Sequence, residues 1–266
     1  MLKQHLYQVQ ILSKKTSHPL EAIAHYCGED QYDVINSKQY SSNASDQVIW
    51  SNLVVPDKVN QFDLFTNLPE YLKFRSQKPD LISNARNILW KNVDIREKRF
   101  DSQFARLFEL VVPHFLSQDE AINLVTCFAK VLTTEGMITD CSIHDHNKKQ
   151  ASISILEAFK IFAHSNSSVK EKEQEQDEND NHADYTAFIM CSLRDYKNGQ
   201  FVNKNRFWND KEKLKEWRTI WITFLSMAIN NAKNVSNEDR DSWSKRLSIY
   251  PSPIIEPIPL KLKLSM

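Results

Sequence analysis

The residues best suited to a chemical role are few and scattered. The four cysteines, Cys27, Cys127, Cys141 and Cys191, lie far apart and lack the C-x-x-C spacing of zinc sites. The chain has only three glycines, which excludes a glycine-rich loop that cradles phosphate groups. We interpret the cysteines as reduced thiols in the core, so any site has to use histidine, tyrosine, carboxylate or basic residues.

A group of basic residues has the composition of a phosphate-binding surface. It comprises Lys14, Lys15, Arg96, Lys98, Arg99 and Arg106. Such a group could track a nucleic-acid backbone. The alternative is a solvated charged face that pairs with Glu97 and Asp101. Because 34 basic and 34 acidic side chains give a formal net charge of 0, DNA affinity has to come from a local patch.

Glu109 and the tryptophans each have a chemical and a structural interpretation. Glu109 lies in an alternating strand pattern. It could be an active-site carboxylate or a charge at the strand edge, and we favour the strand-edge interpretation. Trp208, Trp217 and Trp221 could stack on nucleic-acid bases. The helical spacing of Trp217 and Trp221 favours core packing for these two.

The apolar pattern alternates between strands and helices along the chain. Strand patterns cover residues 5–12, 48–55, 106–112, 138–144 and 185–193. Helical patterns cover residues 63–74, 84–90, 151–162 and 210–232, and two more helices begin at the predicted N-caps Ser17 and Ser117. The helix after Ser117 has a capping box with Glu120 and ends at Gly136. This order predicts an α/β fold in α+β layers, with helices packed on the faces of a sheet.

Two segments differ in composition from the rest of the chain. Residues 165–184 are polar, with an acidic stretch over residues 171–180, and lack the apolar surface that would offset their ordering entropy. Residues 251–266 begin with PSPIIEPIP, which favours an extended proline-rich tail. No stretch reaches the ~18 to 20 apolar residues that span a bilayer, so we expect a cytoplasmic protein with no membrane partner.

Four longer patterns suggest a family. The first two are QILSKKTSHPLEAIAHYCGE and LWKNVDIREKRFDSQFARLFELVVPHFLS. The other two are EGMITDCSIHD and FIMCSLRDYKNGQFVNKNRFWNDKEKLKEWRTIW. In this order they resemble the motifs of MobA/MobL-type conjugative relaxases, in particular the TraA-like branch, over roughly residues 5 to 250.

The resemblance implies a relaxase-type antiparallel sheet of about five strands covered by helices, in a domain of residues 1–250 with an insertion at about residues 147–184. In such relaxases a tyrosine attacks a DNA phosphodiester, and three histidines hold a divalent cation that polarises the scissile phosphate. Two of the histidines form a His-hydrophobe-His pair on one strand, and the third comes from the neighbouring strand. The implied partners are single-stranded DNA and conjugation or type IV secretion proteins, in a bacterial cytoplasm.

The matching positions of this chain lack most of those groups. The family's tyrosine falls on His25, with Tyr26 one position further along a helix that turns by about 100° per residue. The histidine pair falls on Thr186 and Phe188, which are poor metal ligands, and only His144 keeps a ligand. We therefore predict a degenerate relaxase related to plasmid mobilisation, without a cofactor, that binds DNA or a transfer partner and does not nick DNA.

Two alternatives stay open. In one, the chain is an active nicking relaxase with displaced catalytic residues that holds Mg²⁺ or Mn²⁺, with ligands from His182-Ala183-Asp184 after a slide of the strand. In the other, it is a pure interaction protein or a type IV secretion substrate. The predicted DNA-binding residues are Lys14, Lys15, Arg96, Arg99 and Arg106.

Overall fold

An antiparallel sheet forms the centre of the protein. The computed structural model describes residues 5–56, 81–147, 183–197, 200–233 and 235–250. In chain order the strands are β1 (Tyr7–Ser13), β2 (Gln31–Asp33), β3 (Lys38–Tyr40), β4 (Val48–Val54), β5 (Gln103–Val112), β6 (Thr139–His144), β7 (Tyr185–Ser192), β8 (Arg194–Lys197) and β9 (Gln200–Lys204). Five of them form one sheet in the order β1-β5-β7-β6-β4, and each neighbouring pair is antiparallel. The predicted sheet is therefore confirmed, with β7 at its centre.

Helices cover both faces of this sheet. Within the described residues they are α1 (Pro19–Cys27), α2 (Leu81–Arg96), α3 (Gln118–Thr134), α4 (Lys211–Asn231) and α5 (Asn237–Leu247). Buried side chains of α1 and α2, such as Ile23 and Trp90, pack on one face in a cluster that includes Leu107 of β5. Buried side chains of α3, α4 and α5 pack on the other face around Phe108. Because strand side chains alternate, β5 contributes to both layers, and the layered α+β prediction is confirmed.

The start of α1 differs from the prediction. Its N-cap is His18 rather than Ser17: the imidazole accepts a hydrogen bond of 3.2 Å from the Leu20 backbone, and Glu21 accepts one of 3.3 Å from the His18 backbone. Pro19 occupies the first helical position, where its restricted φ suits a helix. Since a proline forces extended backbone on the residue before it, the cap moves to His18.

The two long helices, α3 and α4, follow the prediction closely. α3 begins at the capping box of Ser117 and Glu120, in which each side chain bonds the other residue's backbone. The residue after its last turn, Glu135, precedes Gly136, which adopts a left-handed φ of 99°. α4 follows Asp210, whose carboxylate accepts a hydrogen bond from the Glu212 backbone at 3.0 Å. The capping box placed the start of α3, and the apolar pattern over residues 210–232 placed that of α4.

The tryptophans considered for base stacking are all in the core. Trp217 and Trp221 are fully buried, and Trp208, in a 3-10 helix after β9, is 1% exposed. The Trp217 ring meets the Phe108 ring edge-on at a centroid distance of 5.8 Å, and the Trp221 ring meets the Phe128 ring edge-on at 5.5 Å. The interpretation of these three tryptophans as base-stacking residues is therefore wrong.

Several short elements were not predicted. They are the hairpins β2–β3 and β8–β9 and the helix α5. The expected helices over residues 63–74 and 151–162 lie outside the described residues, as do the tail 251–266 and nearly all of the insertion at 147–184. Among the helices of the described part of the chain, none is both long and apolar enough to cross a membrane.

Candidate functional site

The face of the sheet toward α1 brings together the positions that the family resemblance singles out. In the register of β6 and β7, His144 pairs with Thr186, and Ser142 pairs with Phe188. On the other side of β7, Glu109 of β5 pairs with Phe188. Because paired residues of antiparallel strands project from the same face, these five side chains form one patch. The strand has not slid by four residues, as the alternative with His182 required.

Tyr26, near the end of α1, covers this patch. Its ring lies 5.0 Å from the ring of Phe188, centroid to centroid, and is half-buried. His25, at the position of the family's tyrosine, is exposed to solvent and touches the edge of the Tyr26 ring at 4.9 Å. The aromatic side chain that faces the sheet is therefore Tyr26, one residue along from the expected position.

A close approach of backbone ends α1 at this place. Gly28, the C-cap of α1, has a φ of 70°, and its N–H donates to the Ala24 carbonyl at 3.1 Å. A Cβ on Gly28 would lie 2.6 Å from Cγ2 of Val48 in β4. Glycine is therefore required twice over, by the left-handed backbone and by the contact with the sheet.

His144 is bound to α1 through its ring. Its Nε2 lies 2.7 Å from the Tyr26 carbonyl oxygen, and a carbonyl can only accept, so Nε2 carries the proton. The Ser142 hydroxyl donates to the same oxygen at 2.6 Å. The His144 ring also meets the Phe188 ring edge-on at 4.8 Å. Burial lowers the pKa of His144. The hydrogen bond to the Tyr26 carbonyl raises this pKa, and the nearby His146 and His25 lower it.

His146 belongs to the same patch and was missed by the sequence argument. Its Nε2 lies 3.0 Å from the Thr186 hydroxyl, and its ring is 6.5 Å from that of His144. The side chain is otherwise exposed, just beyond the end of β6. The signal was only the closeness of His146 to His144 along the chain, because His146 lies in a helical turn beyond the end of β6, where strand alternation does not apply.

Glu109 gives the patch a negative charge. The interpretation of Glu109 as a strand-edge charge is wrong, since β5 is paired on both sides, with β1 and with β7. Burial raises the pKa of Tyr26, and the Glu109 carboxylate raises it further. Both effects disfavour the phenolate form of Tyr26.

The residues of this patch do not fit a cation held by three imidazoles. Thr186 contributes a hydroxyl that contacts His146, and Phe188 contributes a ring with no lone pair. The Nε2 of His144 is protonated and bonded to α1, so His144 offers only the lone pair of Nδ1. His146 adds one imidazole, but it lies outside the strand pair that would place the ligands around one point.

A second cluster has the composition of a metal site but is already neutralised. The ligand atoms of His18, Asp33 and Asp94 lie within 4.8 Å of one another. The Lys91 ammonium, however, lies 2.7 Å from Asp33 and 3.0 Å from Asp94, and the Lys14 ammonium is 2.6 Å from Asp94. Two lysines thus take the place of a cation, and the cluster ties α1, α2 and the β2–β3 hairpin together.

The predicted DNA-binding residues are in different environments. Arg106 is 1% exposed and projects to the opposite face of the sheet, where its guanidinium lies 5.3 Å from the Trp217 ring and donates to Asn209 at 2.6 Å. The prediction that Arg106 contacts phosphate is therefore wrong. Burial lowers the pKa of Arg106.

The other four predicted DNA-binding residues lie together near the C-terminal end of α2. They are Lys14, Lys15, Arg96 and Arg99, and all except Lys14 are exposed to solvent. Lys14 is the most enclosed, because its ammonium pairs with Asp94. Arg99, with 80% of its side chain exposed, pairs with Asp101 at 3.0 Å. The ion pair with Asp101 matches the alternative of a solvated charged face, and the exposed cations remain accessible to phosphate.

Comparisons with known proteins agree with this architecture. One solved structure, described as "Molecular Basis of Vancomycin Resistance Transfer in Staphylococcus aureus", is similar with a TM-score of 0.57 and 21% identity, over 86% of this chain and 98% of that chain. At this identity the likeness shows a shared fold. No curated protein matches the chain. A profile of the MobA/MobL family matches residues 20–252, which is most of the chain, and the protein therefore belongs to the MobA/MobL family.

Proposed function

We propose that this chain is a relaxase-fold protein of plasmid mobilisation that binds single-stranded DNA and does not nick it. The observation that carries the proposal is the Phe188 ring packed against His144 at 4.8 Å, with the Thr186 hydroxyl at the other position that the family fills with imidazole. A protein-bound divalent cation needs several lone pairs at about 2.0 to 2.2 Å. At the three positions where the family has imidazoles, this chain has a phenyl ring, a hydroxyl and one imidazole whose Nε2–H is bonded to α1.

The state of Tyr26 supports the same conclusion. A tyrosine attacks a phosphodiester as a phenolate or with its proton taken by a base. Burial and the Glu109 carboxylate both raise the pKa of Tyr26, which disfavours the phenolate. The negative charge of Glu109 also opposes the approach of a phosphate to this patch.

Binding of single-stranded DNA is supported by the exposed cations beyond the N-terminal end of α1. Lys15 and Arg99 are exposed, whereas Arg106 is buried. The affinity is expected to fall with rising salt and to be lost when Lys15 and Arg99 are replaced by glutamate. The buried Arg106 is not a suitable probe, because its replacement would disturb the core under α4.

The metal part of the proposal is tested by thermal stability in manganese, in magnesium and in chelator. The wild-type protein is expected to show the same unfolding midpoint in all three. The positive control is the double substitution Thr186→His and Phe188→His, which returns imidazoles to the positions opposite His144 and Ser142. An occupied site at 100-fold excess of metal over its dissociation constant stabilises a protein by about 2.7 kcal/mol, so this variant should gain a measurable shift.

The outcomes separate cleanly. A metal-dependent shift in the wild-type protein that disappears with His144→Ala would show that a site survives, and the proposal would be wrong. A shift in the double variant alone would support a fold that still accepts a cation once the imidazoles return.

A second candidate function, active nicking with Tyr26 as the nucleophile, has one observation in its favour. The Tyr26 ring, and not His25, lies over the patch that contains Glu109 and His144. This candidate predicts cleavage of single-stranded DNA that Tyr26→Phe abolishes and His25→Phe does not. Absence of cleavage with either metal, or cleavage that persists in Tyr26→Phe, would exclude it.

A further inference from the structure

Two turns meet next to the N-terminal end of α1. One is the turn at residues 97–102 between α2 and β5, and the other follows β1. The backbone N–H of Lys14 donates to the Ser102 carbonyl at 2.8 Å, and the Lys14 ammonium donates to the Glu97 carbonyl at 3.0 Å. We call the surface formed by Lys15, Lys98, Arg99 and Phe100 the basic tip.

Phe100 is the most exposed large apolar side chain among the described residues, at 77%. It follows Arg99 in a turn that is closed by the Ser102 N–H, which donates to the Arg99 carbonyl at 3.1 Å. A lone exposed phenylalanine needs no explanation by itself. An exposed ring next to several cations does need an explanation, because proteins that bind single strands pair exposed aromatic rings with basic residues.

Two acidic residues near the basic tip are already paired with cations, whereas Glu21 in the first turn of α1 accepts from the His18 backbone. Glu97 is buried and binds Arg194 at 2.7 Å and Lys204 at 2.9 Å. Asp94 binds Lys14 at 2.6 Å. The cations Lys15 and Lys98, in contrast, are exposed and form no ion pair with any residue in the described part of the chain.

Asp101 is the partner of Arg99, with hydrogen bonds of 3.1 and 3.0 Å. This bond holds the guanidinium beside Phe100 without burying it, since 80% of the Arg99 side chain is exposed. With Glu97, Asp94 and Asp101 paired, the exposed cations Lys15 and Lys98 give the basic tip a net positive charge around an exposed ring.

The basic tip is connected to the candidate site by α1. The N-cap of α1, His18, lies 3.4 Å from Asp94, near the tip. The carbonyl of Tyr26, at the other end, binds His144. The nine residues of α1 span about 13 Å between these two places.

We propose that Phe100 is a base-stacking platform for single-stranded DNA, with Lys15, Lys98 and Arg99 contacting the phosphates on either side. The proposal rests on the proposed DNA binding and adds where the strand is held and by which chemistry. It differs from a purely electrostatic surface in one respect: stacking needs a base, whereas ion pairing needs only the phosphate.

The test measures binding of fluorescently labelled oligothymidine by anisotropy at a fixed low salt concentration, together with an oligonucleotide of the same length that carries abasic positions. Phe100→Ala should weaken binding to oligothymidine by about 5- to 150-fold, and Phe100→Trp should retain it. The matched control is Phe207→Ala, because Phe207 is also exposed, at 60%, and also near a lysine, with the Lys213 ammonium 5.6 Å from its ring. The control should bind as the wild type does.

The abasic oligonucleotide separates stacking from charge. The wild type should bind it more weakly than oligothymidine, and Phe100→Ala should bind both equally. If the wild type binds oligothymidine and Phe100→Ala binds it as tightly, the stacking proposal is overturned and the proposed DNA binding stands. If the wild type binds neither oligonucleotide at low salt, both are overturned.

Discussion

The buried ion pair between Arg86 of α2 and Asp140 of β6 should be essential for stability. The side chains of both residues are 0% exposed, and the Arg86 Nε lies 2.9 Å from each Asp140 carboxylate oxygen. Trp90 donates to Asp140 at 2.9 Å, and the Cys27 thiol donates at 3.4 Å. Arg86 also pairs with Glu29, whose side chain is 31% exposed. This network joins α1, α2 and β6 beneath the Tyr26 patch.

Replacing Arg86 by methionine keeps most of the volume and removes the charge. Asp140 is then a buried carboxylate with only the Trp90 and Cys27 donors. Breaking a buried pair by removing one partner costs about 3–5 kcal/mol. The loss of Arg86 as a partner of Glu29 adds little to this cost, because water can solvate the exposed part of the Glu29 side chain. The free energy of unfolding in urea at neutral pH should therefore fall by about this amount.

The pH dependence of this loss gives a sharper test. Burial raises the pKa of Asp140, and the Arg86 guanidinium opposes that rise, so the pKa climbs further in Arg86→Met. A carboxyl whose pKa is higher in the folded state binds a proton on folding, and stability is then lost as the pH rises through the interval between the unfolded and folded pKa values. The deficit of Arg86→Met relative to wild type should therefore shrink as the pH falls from neutrality toward about 4, by at most about 1.4 kcal/mol per pH unit.

Two control variants make the result interpretable. Arg99→Met removes an arginine from an exposed pair with Asp101 and should cost less than about 1 kcal/mol. The double variant Arg86→Met with Asp140→Asn removes both charges and should recover most of the loss. A cost for Arg86→Met no larger than that for Arg99→Met, or a deficit that does not change with pH, would refute the reasoning.

Three further substitutions test other parts of the argument by urea unfolding. Gly28→Ala should lose about 1–2 kcal/mol or more, from its φ of 70° and from a Cβ placed 2.6 Å from Val48, and an unchanged midpoint would contradict this. Burial alone would raise the pKa of Asp94. Hydrogen bonds from His18, Lys14 and Lys91 outweigh burial and lower this pKa well below its usual range. The stability from Asp94 is thus present above the unfolded value of about 3.9 and lost below it, so Asp94→Asn should flatten the acid limb of the stability profile. His144→Ala should cost about 1–3 kcal/mol equally in manganese and in chelator, and a cost confined to manganese would indicate a metal ligand.

Local patterns were sufficient for the elements of the core. The capping box of Ser117 and Glu120 gives the start of α3, and its apolar period gives the buried face. The strands β1, β4, β6 and β7 follow from alternation or from a continuous apolar run. The hairpins β2–β3 and β8–β9 were missed because each strand has only three to five residues, too few for a period to appear.

For two of the wrong predictions about the candidate site, the sequence itself contains a pattern that indicates the correct placement. Arg106 lies two residues before Phe108, so alternation places both on the face that α4 covers. In α1 the buried residues Leu20, Ile23 and Cys27 define one face, and helical geometry puts His25 roughly opposite, about 165° from the centre of that face. Periodicity alone therefore favours Tyr26 over His25 as the residue nearer the sheet.

Long-range arrangements could not have been predicted. The ammonium of Lys91 lies between Asp33 and Asp94, residues that belong to a hairpin and to α2. No spacing along the chain indicates that a lysine, and not a metal ion, neutralises that pair. The same holds for Arg86 and Asp140, which are 54 residues apart.

The retention of His144 has a structural explanation that needs no metal. The last carbonyls of a helix lack partners within the helix and require a donor from elsewhere. Here the Tyr26 carbonyl near the end of α1 accepts from both His144 and Ser142, two residues that share a face of β6. Because the imidazole donates through Nε2, His144 joins α1 to the sheet, and only Nδ1 keeps a lone pair. A histidine in this role is kept by the need to hold α1 in place, so its presence alone does not indicate a metal ligand in this family member.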